Sequence, residues 1–556
     1  VVLVRAVSPA GSMSARKVAH PGAAACTLLA LLHAAEGGIT VEDPTTHEIV
    51  ERHDMGDPHL PPVVLVPGIG GSRIQARIPG HRSDWECLVQ QFFQKDWFDL
   101  WFDVTEIIPG SVGCFQANVE LKWDVWRHEY LDNGVQTRLV DFGDVDGVRC
   151  VVPAMESTCT LTEVFSKLVY KLEQMGYVAG SNLHGAPYDW RTGPAYWMKP
   201  GGAFSQLKRL VEQTVQLNSG RKAVLVAASE GAPYTLWFLN NYVTPDWKEQ
   251  FIDSFVPIAG SFGGSIQSLR MILAGYLWGI NSQSLPWIDA SILAEVSRTF
   301  GGVTWALPQT IPGHLEDWTV VETPHRAWKA SEITRMLHEV DLHVTADIYN
   351  STKRYRTYSA PGVRTYCFYG AGLPTPRTLQ YRSEDVYDPA ALGYDETDGD
   401  GAVMLDSLNL CDAWAEADPE LYTVVRLTNA THVGTIHRAE KYVQAIAANN
   451  ITQMLRKLSG DFSIKAEDEP QMAPGASPPP LHATEGDGLT PYVQAATAAA
   501  LVASVIFLLA PLGLGFIAAK RVWSFARPGV GAAARRGART QQEDAAAADR
   551  HPPVLL

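Results

Sequence analysis

The sequence predicts an α/β fold in which helices cover both faces of a mostly parallel sheet. Short apolar runs that end in glycine or serine have the length of buried strands, and amphipathic segments such as residues 204–217 lie between them. The apolar runs lie at residues 62–68, 222–229, 251–260 and 363–372. Because such sheets bind ligands beyond the carboxyl ends of their strands, we expect the functional residues to follow these runs.

Composition supports a large folded core and excludes some classes of function. The chain has 556 residues, of which 46% are apolar and 10% aromatic, which excludes wholesale disorder. Its formal charge of −15 gives it no general attraction to nucleic acid, so no nucleic-acid partner is expected. The sequence has no GxxxxGK[ST] loop, HExxH motif or CxxC pair, which argues against a nucleotide hydrolase and a structural zinc site.

The first residues, 1–36, are expected to form a secretory signal region. Basic residues between Arg16 and His20 precede an apolar run, 23–32, that is too short to cross a bilayer. Alanines at positions 34 and 35 then offer a cleavage site. An Ala-rich terminal helix is the alternative interpretation.

The last part of the chain predicts a stalk and a membrane anchor. Residues 461–492 are Pro-rich and acidic, as in an extended stalk, and residues 493–519 carry no charge and are long enough to cross a bilayer. The alternative, a buried soluble helix, is disfavoured by that length. Arginines in the tail, 520–556, indicate a cytoplasmic C-terminus. A single-pass type I topology follows, with residues 37–460 in a lysosome-like compartment or at the cell surface.

The cysteines and the glycosylation motifs agree with an exported domain. Of seven cysteines, one lies in the signal region, and the remaining even number favours disulfides in an oxidising compartment. Sequence alone does not choose the pairing. Asn350, Asn429 and Asn450 each begin an Asn-x-Thr motif that only a lumenal or extracellular domain uses.

A candidate nucleophile follows the second apolar run. The segment Ala227-Ala-Ser229-Glu-Gly231 resembles the G-x-S-x-G elbow, a strained strand-to-helix turn that exposes the serine hydroxyl in α/β-hydrolases. Ala227 replaces the first glycine of that pattern. Ser261, in Ala-Gly-Ser-Phe-Gly after the third run, is a rival, and spacing alone does not exclude it.

The acid and base of such a site follow the serine in the order Asp or Glu, then His. Asp398 and Asp400 belong to a DGDG segment, which is also compatible with a calcium-type loop or a plain turn. His432 follows the apolar run VVRL, and His437 is not excluded by its spacing. The histidine would take the serine proton, and a buried aspartate would orient the imidazole.

A glycine-rich turn after the first run suggests an oxyanion hole. Residues 67–72, Pro-Gly-Ile-Gly-Gly-Ser, end the first strand, and the backbone N–H groups of Ile69 and Glu230 are the candidate donors. A phosphate-binding loop is the alternative, but the segment lacks GxGxxG and its βαβ context.

Several segments together resemble the lecithin:cholesterol acyltransferase and lysosomal phospholipase A2 family. The most specific is residues 365–378, TYCFYGAGLPTPRT, which nearly matches the family's signature. APYDWR at 186–191, LVPG at 65–68, DGDG and His432 occur in the family's order, and the resemblance covers about residues 60–455. It implies an α/β-hydrolase with cap and lid insertions and a Ser229, Asp400 and His432 triad. Ser261 would lie in a structural loop, and the aspartate and arginine of YDWR are expected to form a buried ion pair.

The resemblance also implies disulfides and a lipid-facing lid. Cys87 would pair with Cys114, closing lid loop 87–114, and Cys367 with Cys411. Cys150 and Cys159 have no family counterpart, and their pairing stays open, a local bridge between them being one arrangement. An aromatic-rich loop suits a lipid surface, although aromatics of this kind often pack on the core. The candidate lipid contacts are Trp85, Phe92, Phe93, Trp97, Phe98, Trp101 and Phe102.

The resemblance implies a lipase that moves a fatty acyl chain from phospholipid through an acyl-serine to water or an alcohol such as a sterol. Such a lipase needs no metal and no cofactor and acts at a phospholipid membrane surface. Whether an apolipoprotein-like partner activates it is not given by the sequence. Family members carry an apolar residue where this chain has Glu230, and a carboxylate beside the oxyanion would oppose turnover. We therefore expect Glu230 to act as a brake. The alternative function is a catalytically impaired lipid-binding surface protein on the same fold.

Overall fold

The computed structural model describes residues 56–79, 96–101, 112–153, 162–276 and 289–454, with Cys87, Cys159 and the backbone of 39–42 and 49–52. All of these residues belong to one compact unit, residues 1–471. The predicted signal region, stalk, membrane span and tail all lie outside the described residues. Among the described residues, no helix has the length and apolar character that a membrane crossing requires.

The strands form one large sheet and several smaller ones. In chain order they are β1 Ile39–Glu42, β2 Ile49–Arg52, β3 Val63–Val66, β4 Ile74–Arg77, β5 Phe98–Trp101, β6 Lys122–Asp124, β7 Glu129–Leu131, β8 Gln136–Leu139, β9 Leu183–Gly185, β10 Ala223–Ala228, β11 Ile252–Ile258, β12 Thr319–Glu322, β13 Ala327–Lys329, β14 Thr365–Ala371, β15 Leu373–Tyr381, β16 Leu392–Gly399 and β17 Tyr422–Thr428.

The central sheet has six strands in the order β17-β14-β11-β10-β3-β9, and every neighbouring pair in it is parallel. The four apolar runs singled out in the sequence are β3, β10, β11 and β14, which lie side by side in this sheet. Strands β3, β10 and β14 are buried along their whole length because helices cover both faces. The prediction of a mostly parallel sheet flanked by helices is confirmed.

The α-helices precede, follow and connect these strands. They are α1 Val112–Val119, α2 Asp146–Arg149, α3 Ser166–Glu173, α4 Pro194–Trp197, α5 Ala203–Leu217, α6 Gly231–Trp237, α7 Pro245–Phe251, α8 Ile266–Ala274, α9 Ala290–Arg298, α10 Gly301–Trp305, α11 Ile333–Glu339, α12 His343–Thr352, α13 Leu405–Leu408, α14 Leu410–Ala417 and α15 His432–Ala447. A π-helical turn, Phe238–Tyr242, extends α6, and short 3₁₀ turns occupy Ala330–Glu332, Lys353–Tyr355 and Pro389–Ala391.

Alternate residues of the central strands enter two separate cores. On one face, Val224 and Val226 of β10 pack with the apolar residues of α3 and α15. On the other face, Leu225 and Ala227 pack with Phe204 of α5 and with helix α6. This alternation follows from the two-residue period of a strand. The loops of the site follow the carboxyl ends of β10, β11 and β14.

Smaller sheets surround this frame. Strands β13, β12, β15 and β16 form a second sheet, β5, β4 and β8 form a third, and β6 pairs with β7. The family-signature segment runs from β14 through Gly372, whose φ is +91°, into β15. The chain therefore leaves the central sheet and enters the second sheet within this segment, where β15 pairs antiparallel with β16, the strand that ends in the DGDG loop.

Three disulfides join parts of this frame: Cys87–Cys114, Cys150–Cys159 and Cys367–Cys411. They are the two pairs implied by the family resemblance and a local bridge between the two cysteines whose pairing the sequence left open. Cys367–Cys411 connects central strand β14 to helix α14 across 44 residues, whereas Cys150–Cys159 spans only 9.

The lengths of these closed loops predict different contributions to stability. In the loop-entropy model, replacing Cys367 and Cys411 by Ala costs about 4 kcal/mol, and replacing Cys150 and Cys159 costs about 2.5 kcal/mol. We expect the first double variant to show the larger drop in urea midpoint relative to the unchanged protein. An equal or larger drop for Cys150→Ala with Cys159→Ala would contradict this ranking.

Candidate active site

Ser229 lies at the end of β10, immediately before α6, in a left-handed backbone conformation with φ of +52°. Its backbone N–H donates to the carbonyl of Ile258 on the neighbouring strand, at 2.8 Å. A Cβ at Gly231 would lie 2.5 Å from the Pro67 carbonyl oxygen, and one at Gly68 would lie 2.8 Å from the Ser229 Cβ. The turn therefore needs glycine at both positions.

The alanine that replaces the first glycine of the elbow pattern fits without displacing the turn. Ala227 is fully buried in β10, in register with Pro257 of β11 and Val66 of β3. Its methyl group belongs to the core cluster beside α5 and α6. The strand-to-helix geometry of the elbow is therefore present with alanine at this position.

The structure brings His432 and Asp400 to Ser229. His432 Nε2 lies 2.9 Å from Ser229 Oγ, and His432 Nδ1 lies 2.6 Å from Asp400 Oδ2. His432 is the first residue of α15, which begins with Thr431 accepting a hydrogen bond from the Gly434 N–H at 3.0 Å. These contacts form a continuous hydrogen-bonded chain from the carboxylate to the hydroxyl.

Asp400 is buried and held in one orientation. Its Oδ1 accepts hydrogen bonds from the backbone N–H groups of Ala402 and Val403, at 3.0 and 2.8 Å, while Oδ2 faces His432. Burial lowers the pKa of His432, but the charge and hydrogen bond of Asp400 raise it more, so the net shift is above the usual value. The imidazole is thus a stronger base than a free histidine.

The alternative residues left open by the sequence lie elsewhere. Asp398 points away from the histidine, accepting from the Gly372 N–H at 2.5 Å and pairing with Arg426 at 2.9 Å. His437 pairs with Glu163 at 3.4 Å. Because the two aspartates of DGDG diverge, they do not form a joint metal site, and the described residues contain no cluster of three His, Cys, Asp or Glu side chains suited to a metal.

Comparison with known proteins places the chain in a family. The family model for lecithin:cholesterol acyltransferase matches residues 97–355 and 314–441, which together span more than half of the chain. The chain belongs to this family. Its phospholipase and acyltransferase members are enzymes, and this chain is an enzyme of the same class.

Three relatives illustrate the similarity. Lecithin-cholesterol acyltransferase-like 1 of Arabidopsis thaliana is 31% identical over 62% of this chain and 81% of its own length. Lysosomal phospholipase A and acyltransferase of Homo sapiens is 28% identical over 69% and 90% of the two chains. Phosphatidylcholine-sterol acyltransferase of Oryctolagus cuniculus is 27% identical over 76% and 90%.

Ser261, the rival serine, instead contacts the side chain that follows the nucleophile candidate. Ser261 Oγ donates to Glu230 Oε2 at 2.5 Å, and Glu230 Oε1 pairs with Arg356 Nη2 at 2.9 Å. The side chains of Glu230 and Arg356 are only 3% and 2% exposed. The carboxylate that differs from the family pattern is therefore buried and paired, which removes the physical reason for expecting a brake.

Burial raises the pKa of Glu230 to about 7, although the Arg356 charge and the hydrogen bonds from Ser261 and Arg356 lower it. Sequence reasoning missed Arg356 altogether. It is 126 residues from Glu230 and belongs to no motif, so only the folded chain reveals the pair.

The two candidate oxyanion donors both lie beside the elbow. Ile69 lies in the loop after β3, against which Gly231 packs, and Glu230 directly follows Ser229. Within the described residues, neither backbone N–H donates a hydrogen bond to another protein atom. Both N–H groups therefore remain candidates for binding a negatively charged oxygen.

The lid prediction needs a correction for two residues. Phe98 and Trp101 are 8% and 3% exposed and belong to the core, because β5 pairs with β4 and turns these rings inward. Trp101 packs edge-on against Trp190 and donates to the Gly70 carbonyl at 3.0 Å, so its ring is held against the loop after β3 and is not presented at the surface.

Of the remaining lid candidates, only the side chain of Trp97 lies within the described residues. Trp97 lies between the guanidinium groups of Arg77 and Arg138, 5.0 and 4.5 Å from its ring centre. The side chains of Trp85, Phe92, Phe93 and Phe102 lie outside the described residues. In the YDWR segment, Asp189 and Arg191 form the expected ion pair, at 2.7 Å with Arg191 2% exposed.

The pKa of Glu230 predicts how stability depends on pH. Because the folded-state pKa of about 7 exceeds the ordinary 4.5, the protonated carboxyl favours folding, and this contribution is lost as pH rises from about 4.5 through about 7. Relative to Glu230→Gln, which does not titrate, the unchanged protein should lose stability between about pH 5 and about pH 8. Urea midpoints of both proteins at the two pH values measure this; a gap that stays constant would contradict it.

Proposed function

We propose that the chain is a serine-dependent lipid acyl hydrolase and transferase, with Ser229 as nucleophile, His432 as general base and Asp400 as the orienting acid. The observation that carries the proposal is the hydrogen-bonded chain of 2.6 and 2.9 Å through His432 to Ser229 Oγ. This is the geometry that nucleophilic acyl transfer requires of a serine, a base and a third group that orients the base.

The reaction follows from these contacts in two steps. Ser229 Oγ attacks the acyl carbonyl carbon while His432 Nε2 takes its proton, and the N–H groups of Ile69 and Glu230 stabilise the oxyanion. His432 then gives the proton to the departing alcohol, leaving an acyl-serine. Water or an acceptor alcohol attacks that ester by the same path in reverse. The negative charge of Asp400 stabilises the imidazolium formed in each step.

The names of the relatives suggest the substrates. The human relative is a lysosomal phospholipase A and acyltransferase, and the rabbit relative a phosphatidylcholine-sterol acyltransferase. We therefore take a phospholipid as acyl donor, and water or a lipid alcohol such as a sterol as acceptor. The alternative, an impaired lipid-binding protein, is disfavoured because the carboxylate that motivated it is paired with Arg356.

The topology of the whole chain is also proposed. Residues 1–36 act as a signal region, 37–460 form the catalytic domain in the secretory pathway, 461–492 form a stalk, 493–519 cross the membrane and 520–556 remain cytoplasmic. The described residues support an exported domain through their three disulfides and through the exposed positions of Asn429 and Asn450 as glycosylation acceptors.

Substitution of the triad tests the chemistry. Ser229→Ala, Asp400→Asn and His432→Ala should each lower the rate on phosphatidylcholine vesicles by about 10⁴-fold, because each removes a group that acts with the other two. Mass spectrometry of vesicles that also contain a sterol measures free fatty acid and sterol ester together, and so identifies the acceptor.

Two matched variants control this test. Asp398→Asn and His437→Ala change the same residue types two and five positions away, in side chains that face Arg426 and Glu163. Both should retain most of the activity. Loss of activity in His437→Ala with retention in His432→Ala would refute the assignment, as would labelling of Ser229→Ala by a fluorophosphonate probe.

Removal of the proposed anchor tests the topology. A chain that ends before Pro491 should be secreted in soluble form and should keep its rate on a short-chain ester, because every proposed site residue lies before the stalk. Secretion and the ester rate, compared with those of the membrane-bound full chain, are the measurements. A folded truncated protein without ester activity would contradict a simple anchoring role.

A further inference from the structure

Two strained turns lie side by side at the centre of the proposed site. Ser229 at the end of β10 and Ala259 at the end of β11 both have φ of +52°, and the strands are paired in register up to Ala228 and Ile258. A non-glycine residue in this conformation is strained and persists only where its surroundings enforce it. Neighbouring contacts must therefore hold both turns.

Glu230 and Arg356 make contacts that join these turns. Glu230, which directly follows Ser229, accepts from Ser261 Oγ at 2.5 Å. Arg356 donates to Glu230 Oε1 at 2.9 Å and to the carbonyls of Ser261 and Phe262, each at 3.4 Å. One guanidinium thus contacts the turn after β10 and the turn after β11.

Arg356 is itself fixed against helix α10. Its Nε donates to the Trp305 carbonyl at 3.0 Å, and its guanidinium carbon lies 4.0 Å from the centre of the Trp305 ring. With 2% of its side chain exposed, Arg356 has little freedom to move. The pair with Glu230 is therefore anchored to a helix that carries none of the triad residues.

Stability alone does not explain this pair. Removing two charges from water is costly, and apolar residues of similar size often stabilise a protein as well or better. Burial raises the pKa of Glu230, so its charged form is disfavoured even beside Arg356. The position also differs from the apolar residue of the family pattern.

We propose that Glu230 and Arg356 are positioning residues for the oxyanion hole, and we call the pair the elbow clamp. The clamp fixes the peptide between Ser229 and Glu230, whose N–H is the donor that binds the oxyanion. Because such a donor is effective only when aimed at the developing charge, a small rotation of this peptide lowers the rate without weakening substrate binding. This inference rests on the proposed function of Ser229.

Four variants of the full-length protein test the clamp on a soluble short-chain ester. Glu230→Leu and Arg356→Met should each lower kcat by about 10²-fold and change KM by less than about 3-fold. Glu230→Gln keeps an acceptor for Arg356 and a hydrogen-bonding partner for Ser261, so it should restore kcat to within about 10-fold of the unchanged enzyme. The control is Glu440→Gln, which changes a buried carboxylate that pairs with Lys171 eight positions after His432 on α15, and should leave both constants unchanged.

A double variant separates positioning from folding. Glu230→Leu leaves Arg356 buried without a counter-ion and should lower the melting temperature, whereas Glu230→Leu with Arg356→Met removes both charges and should recover it. We expect kcat of the double variant to stay low. We also expect its inhibition constant for a short-chain trifluoromethyl ketone, whose adduct with the serine carries an oxyanion, to rise as kcat falls.

The outcomes distinguish the clamp from the proposed function. A double variant that regains both melting temperature and kcat would show that the pair is only structural and would overturn the clamp. A fall in kcat matched by an equal rise in KM, or an unchanged inhibition constant, would overturn it as well. Activity that persists in Ser229→Ala would instead refute the proposed function, and the clamp with it.

Discussion

The left-handed backbone of Ser229 is the constraint on which the rest of the site depends. A φ of +52° lifts the hydroxyl off the end of β10 and toward His432, at an energetic cost that the surrounding contacts must offset. The surroundings supply the compensation: Gly68 and Gly231 leave room for close backbone approach, and the Ser229 N–H is bound by Ile258. The parallel sheet matters to function mainly because it fixes these neighbours.

The site also contains two buried carboxylates, those of Asp400 and Glu230, which have different roles. Asp400 is aimed at His432 by two backbone N–H groups, so its charge raises the basicity of the imidazole. Glu230 is turned the other way, toward Arg356 and Ser261. Pairing with a guanidinium confines its field, since a neutral pair acts over a shorter range than a single charge. One carboxylate thus raises the basicity of the histidine, and the charge of the other is offset by Arg356 so that it opposes the oxyanion less.

Sequence predicted most of the frame, because buried parallel strands are continuous apolar runs and α5 has a clear helical period. It predicted the three central site residues from their chain order and the family signature. It did not predict the second sheet: β15, with prolines at 374 and 376, and β16, with exposed acidic residues, lack a strand-like pattern. Nor did it separate Phe98 and Trp101 from lipid-facing aromatics, because aromatic content does not reveal which face a strand buries.

Arg356 could not be predicted from the sequence, and its contact with Glu230 changes how the glutamate at that position is interpreted. An arginine 126 residues away leaves no periodic or local signal, so the sequence shows only a misplaced carboxylate. Burying an unpaired charge is costly, so a carboxylate at this buried position needs a partner if the fold is to hold it. Here both carboxylate oxygens have partners, and those partners connect the elbow to the next strand's turn. The carboxylate is therefore compensated within the fold, and its presence gives no reason to expect that turnover has been lost.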